Sequence, residues 1–189
     1  MENSISDSIE YIDFDGTADW EAWLAAHHDS RKEAWLRIAK KNSGASSIAI
    51  PEALDVALCY GWIDSHRKSL DERCYLQRYS PRRPKSPWSM INVNKAKALI
   101  ESGRMKPSGY AEIEAAQADG RWDGAYESQK SAAIPPDLLS ALEQREQAKR
   151  TFEQLDKTAQ YAVCLPLLKA ATPKNRAAQL LKAIAKLES

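Results

Sequence analysis

The residues with the plainest chemical use lie between Arg78 and Gly109, in the run RYSPRRPKSPWSMINVNKAKALIESGRMKPSG. Arg78, Arg82, Arg83 and Lys85 crowd into a segment that Pro81, Pro84 and Pro87 keep from forming a continuous helix or strand. Ser86 before Pro87 reads as an N-cap followed by a first helical residue, and Gly103 as the stop of that helix. Such a helix start has free N–H groups and a partial positive charge, with guanidinium and ammonium groups close in sequence. The chemistry this offers is anion recognition, because the planar guanidinium fork donates two parallel hydrogen bonds to a phosphate or carboxylate. On a helix beginning at Pro87, positions 88, 92 and 95 share a face. The expected ligand-binding set is therefore Arg78, Arg82, Arg83, Lys85, Ser86, Trp88, Ser89, Asn92 and Lys95. Direct contacts are expected from Arg82, Arg83, Lys85 and Ser86, with Trp88 offering a ring face. The competing use of these residues is internal, with Trp88 in the core and the arginines paired to the acidic N-terminal region.

A second chemistry sits upstream. Asp64 and His66 are two residues apart, so on a strand their side chains share a face and the carboxylate can orient the imidazole for acid–base work. An enzyme acting on a phosphorylated or acidic substrate at this pair is the alternative to a binding module. The balance favours binding, since no HExxH, GxSxG or paired-cysteine spacing occurs. Cys59 lies in an apolar helical run and Cys74 alternates with Leu76, which reads as packing. His27 and His28 are helix neighbours pointing about a hundred degrees apart, so they cannot share one metal. No metal site and no cofactor are expected. Single-stranded nucleic acid is the third reading, because Tyr75, Tyr79 and Trp88 interleave with the basic residues. The net charge of +1 and the lack of a reader motif count against it.

The elements that must position these residues are legible from periodicity. Tyr11, Ile12 and Phe14 form a short strand after a loose arm at residues 1–10, and Thr17 caps a helix carrying Trp20, Trp23 and Leu24. Residues from Glu33 alternate as a strand, and Pro51 opens a helix with Leu54, Ala57, Leu58 and Gly61 on one face, Gly61 permitting close approach of another backbone. His66 to Tyr79 reads as a hairpin turning near Leu70–Arg73. A helix from about Ser108 stops at Gly120. KSAAIPP from Lys130 is a linker, after which the chain is helical. Pro166 should kink or break one of those helices, and Thr172-Pro173 starts the last, whose amphipathic face completes the protein's own core. The fold class is α+β, a small antiparallel sheet with flanking helices followed by an all-helical C-terminal part, with a core domain at 1–128 and a helical segment at 129–189. With 43% hydrophobic and 28% charged residues the chain can build a core and stay soluble. Its charge is uneven: residues 1–30 hold eight acids and no Lys or Arg, while Trp62–Pro107 holds eleven bases against four acids. Three scattered cysteines, an acidic N-terminus and no apolar run of membrane length point to the cytoplasm. The expected partner is a small anionic molecule or an acidic protein surface.

The runs ALCYGWIDS at 57–65, YSPRRPKSPWS at 79–89, GRMKPSG at 103–109 and DGRWDGAY at 119–126, with PPDLLSALE and KAATPKNRAAQLLKAIAKL near the end, resemble the YdeI/OmpD-associated, or bacteriocin-protection, family. Arg176 matches the first arginine of that family's closing pattern, while Gln179 and Gln160 stand where further basic residues are expected. The resemblance implies a link to tolerance of bacteriocins or cationic peptides, and it brings no catalytic residue or cofactor.

Overall fold

The computed structural model describes residues 9–189, so the expected arm at 1–10 lies outside it except for Ile9 and Glu10. The chain forms two compact units, one of residues up to Ser86 with Asn94–Ala116, the other of Pro87–Val93 with Gln117–Ser189.

The first unit is built on a three-stranded antiparallel sheet of β1 (Ala34–Ala39), β2 (Trp62–Ser69) and β3 (Cys74–Pro81), in the order β1-β3-β2. Alternation dictates which side is covered. Leu36 and Ile38 of β1 pair with Gln77 and Tyr75, so the face they share with Tyr79 is the one packed inward. Against it lie α1 (Thr17–His27), whose Trp20 and Leu24 are fully buried, and α2 (Ile50–Cys59) with Ala53, Val56 and Ala57. The interior is aromatic: Trp20 meets Tyr79 at 5.6 Å and Trp62 at 6.4 Å between ring centroids. Ile12 adds a short parallel bridge to Leu36, where a strand was expected. α1 begins at Thr17 with Gly16 as its N-cap, so Thr17 is a helical residue and not the cap.

α3 (Met90–Glu101) is followed by α4 (Pro107–Ala118). Gly103, at φ +70, ends α3: its N–H reaches Ile100 O at 2.9 Å, and Arg104 N–H reaches Leu99 O at 3.0 Å. α4 then crosses the end of α2 at very close range. A Cβ on Gly109 would stand 2.3 Å from Cys59 O, and one on Gly61, at φ +73, would stand 2.9 Å from Ser108 O. Lys106 N–H adds a 3.1 Å bond to Cys59 O. Two glycines therefore let a helix and a helix end touch backbone to backbone.

The second unit is helical, with α5 (Pro136–Glu143), α6 (Glu146–Gln154), α7 (Lys157–Leu168) and α8 (Pro173–Glu188). Leu138, Leu142, Phe152, Cys164, Leu167, Ile184 and Leu187 form its core. α7 contains Pro166 in its last turn and stops two residues later. Thr172 caps α8, its hydroxyl accepting Asn175 N–H at 3.2 Å. Arg176 clamps three elements, donating to both oxygens of Asp137 at 2.6 and 2.8 Å and to Leu167 O at 3.1 Å. This α+β arrangement, a small antiparallel sheet with flanking helices and a helical C-terminal part, is the fold class that the periodicity implies.

Candidate functional site

The expected ligand-binding set divides between the units, with Arg78, Arg82, Arg83, Lys85, Ser86 and Lys95 in the first and Trp88, Ser89 and Asn92 in the second. Cations of the first unit have unlike fates. Arg78 stands on β3 opposite Trp35 of β1 and closes on the protein's own carboxylate, with Nη2 2.6 Å and Nε 2.7 Å from Glu33 Oε2 and Nη1 3.2 Å from Ser65 Oγ. Arg78, with Trp35 Nε1 at 3.0 Å, holds the Glu33 carboxyl below its ordinary value. Lys95 Nζ sits 2.5 Å from Asp55 Oδ1. Arg82 is 6% exposed, and its N–H reaches Gly61 O at 3.0 Å, which extends the β2–β3 ladder past the strand ends.

Beyond Arg82 the chain makes a turn closed by Ser86 N–H to Arg83 O at 3.0 Å. Lys85 takes φ +62 within it, a left-handed conformation uncommon for a long side chain. Arg83 and Lys85 are both exposed and, among the described residues, have no ion-pair partner. The turn thus presents two cations held by Pro84 between them.

The helix that was to begin at Pro87 begins at Met90 instead. Ser89 is the capping residue, its hydroxyl accepting Asn92 N–H at 3.2 Å, so Ser86 and Pro87 precede the helix and Trp88 lies outside its face. Ser-Pro and Ser-x-x-Asn signals compete here, and the second wins because residues 83–86 form the turn. In the second unit Trp88 is 2% exposed and packs edge-on to Trp122 at 5.0 Å. Its carbonyl accepts Tyr126 N–H at 3.0 Å, and Met90 N–H reaches Tyr126 O at 2.9 Å. The indole is a core residue, with no open face. Tyr79 is wholly buried as well, which removes two of the three rings of the base-stacking strip.

Asp64 and His66 do not share a face. Asp64 pairs with Tyr79 and Arg67 with Gln77, so β2 carries one residue more than β3 over this stretch. This bulge breaks the alternation that the two-residue spacing assumed. Its builder is Gln77, fully buried, whose Oε1 accepts Arg67 Nε at 2.6 Å and whose amide donates to Ser65 O and His66 O at 3.4 and 3.3 Å. His66 is left exposed and Asp64 half-buried. Burial pushes the Asp64 carboxyl up, and Arg67 and Arg82 partly offset this. Burial, with the Asp64 charge second, also pushes the Tyr79 phenol up. The Tyr79 hydroxyl has no hydrogen-bond partner among the described residues.

Sequence reasoning missed Gln77, whose role depends on register, and Gly109, whose helical position gives no local sign of a neighbour at van der Waals limit. All three cysteines are buried and free. Among the described residues, no cluster of three or more His, Cys, Asp or Glu is placed to hold a metal, and no helix is long and apolar enough to cross a membrane.

A unit with a small bulged antiparallel sheet and a cationic turn at Arg83–Lys85, followed by a helical unit, is the class of protein these features define. Residues 12–112 match a family model described as a domain of unknown function, DUF8412, and residues 131–189 match the model described as Bacteriocin-protection, YdeI or OmpD-Associated. The chain belongs to the DUF8412 family and carries a YdeI/OmpD-associated domain at residues 131–189. Of the four motif blocks that carried the resemblance, those at 57–65, 79–89 and 103–109 fall in the first match, and 119–126 falls between the two. No curated protein and no solved structure matches the chain.

Proposed function

We propose that this is a cytoplasmic binding module that recognises an acidic partner surface or a small anionic ligand through the Arg83–Lys85 turn. The observation that carries the reading is the contrast along one short stretch. Arg78 and Lys95 close on Glu33 and Asp55, while Arg83 and Lys85 stand exposed with no carboxylate of the described residues against them. Lys85 holds a backbone conformation that costs about 1 kcal/mol or more for a residue with a Cβ, and strain of this kind concentrates at sites of use. Pro84 and the closing hydrogen bond pre-order the turn, which lowers the cost of fixing two long side chains on a partner. Buried, reduced cysteines fit a reducing compartment.

A link to bacteriocin or cationic-peptide tolerance belongs to the reading through the description of the family matched at residues 131–189. An Arg–Lys turn repels a cationic peptide, so that link runs through an acidic partner and not through direct capture. The test is a thermal-shift screen of phosphate, nucleotides, acidic sugars and a polyglutamate peptide on wild type and on the Arg83→Ala/Lys85→Ala variant. Stabilisation by acidic compounds that the variant loses is the expected result. Stabilisation retained by the variant, or none with any compound, refutes the proposal.

A further inference from the structure

We infer that the helical unit holds a second, separate binding site, for a small carboxylate with an apolar body about the size of a benzene ring, in the cleft between residues 129–134 and α7. The cleft is lined by residues of the helical unit alone and has a volume of about 210 Å³.

 In the first unit a cleft of about 390 Å³ is lined by Glu10, Arg31 and Glu33, two acids against one base. The cleft of the helical unit is different in kind, because its charged lining residues are Lys130 and Lys157 alone. A cavity of about 150 Å³ suffices for a benzene ring, so 210 Å³ admits one with a carboxylate attached.

Its walls are built and held. Lys157, Gln160, Tyr161 and Cys164 recur at the spacing of one face of α7, and that face lines the cleft. Tyr161 Oη donates to Glu127 O at 2.9 Å, Gln160 Nε2 to Phe152 O at 3.1 Å, and Gln129 Nε2 to Thr158 Oγ1 at 3.0 Å. Ile134 and the buried Cys164 supply the apolar floor. Burial pushes both the Cys164 thiol and the Tyr161 phenol up, so the walls are neutral and the positive charge is confined to the rim. The nearby acids are engaged elsewhere: Asp156 accepts Ala159 N–H at 2.7 Å as the N-cap of α7, and Glu127 accepts Ser131 Oγ at 2.6 Å. A neutral, partly apolar cleft with two ammonium groups at its mouth selects an anion with an apolar body.

The experiment is an amide-resolved NMR titration of the full chain with benzoate, and with benzyl alcohol as the uncharged probe, at fixed pH and salt. Saturable shifts confined to residues 129–134 and the face of α7, with benzyl alcohol binding at least tenfold more weakly, are expected. The Lys130→Gln/Lys157→Gln variant changes two exposed side chains, so its spectrum elsewhere stays that of wild type, and it should lose roughly tenfold in benzoate affinity. Shifts outside the cleft, equal binding of the two probes, or an unchanged affinity in the variant overturns the assignment. Because the Arg83–Lys85 turn belongs to the other unit, failure of either proposal leaves the other standing.

Discussion

The first unit fills its interior with Trp20, Trp62, Tyr79 and Phe14 and seals polar groups among them, whereas the second packs Leu138, Leu142, Phe152, Leu167 and Ile184. In the first, Gln77 uses its whole amide to hold the β2 bulge, while the hydroxyls of Tyr79 and Ser108 lack partners among the described residues. Each unsatisfied buried group costs about 1–3 kcal/mol. An aliphatic interior needs the right volume and tolerates rearrangement; an interior of bulge, backbone contact and buried amide depends on one register. The difference teaches that the helical unit depends on filled volume and the sheet unit on a few special contacts.

Substitutions can break this contrast, and the largest effect is expected where backbones touch. Gly109→Val places side-chain atoms inside Cys59 O and Met105 Sδ, 2.3 and 2.4 Å from an ideal Cβ, and should cost roughly 4 kcal/mol. Denaturant unfolding followed by hydrogen exchange should locate that loss in the sheet unit. Leu167→Ala in the aliphatic core should cost about 3 kcal/mol, with the loss confined to the helical unit by the same readout. If it spreads equally to β1–β3, the contrast fails.

Arg176→Ala sharpens the comparison through pH. Arg176 holds the Asp137 carboxyl below its ordinary 3.8, so the native state resists protonation. That stability is present above 3.8 and is lost as pH falls through the lowered value. The pair is about a third exposed, so screening limits the cost of Arg176→Ala to about 1 kcal/mol near neutral pH, vanishing in acid. Asp64 has the opposite sign. Burial raises its carboxyl above 3.8, the native state takes up a proton that the unfolded chain releases, and stability falls as pH rises through the interval. Asp64→Asn should therefore match wild type at about pH 3 and exceed it modestly near neutrality. A variant less stable than wild type at neutral pH would show that Asp64 is held by a stronger partner than Arg67 or Arg82.

Much of the frame was legible because local signals agreed. Alternation from Cys74 to Tyr79, the glycine stop at 103 and the Thr172-Pro173 start each fixed an element without help from elsewhere. The start of α3 was not legible, since Ser86-Pro87 and Ser89 both carry cap chemistry and the choice depends on a turn at Lys85. Neither was the bulge: Asp64 to Lys68 is polar throughout, so no apolar period reveals the extra residue, and the buried Gln77 that sets it lies on the neighbouring strand. The basic stretch itself was visible, but which of its cations are neutralised was not, because Glu33 and Asp55 reach Arg78 and Lys95 only through tertiary structure.

The most direct test of the central claim is fluorescence anisotropy of a labelled polyglutamate peptide titrated with the full chain over a range of salt concentrations. Binding that weakens steadily with salt, and that falls roughly tenfold in Arg83→Ala/Lys85→Ala while Arg78→Ala leaves a smaller change, is the predicted result. Equal binding by wild type and the Arg83/Lys85 variant, or no binding at any salt concentration, would contradict it.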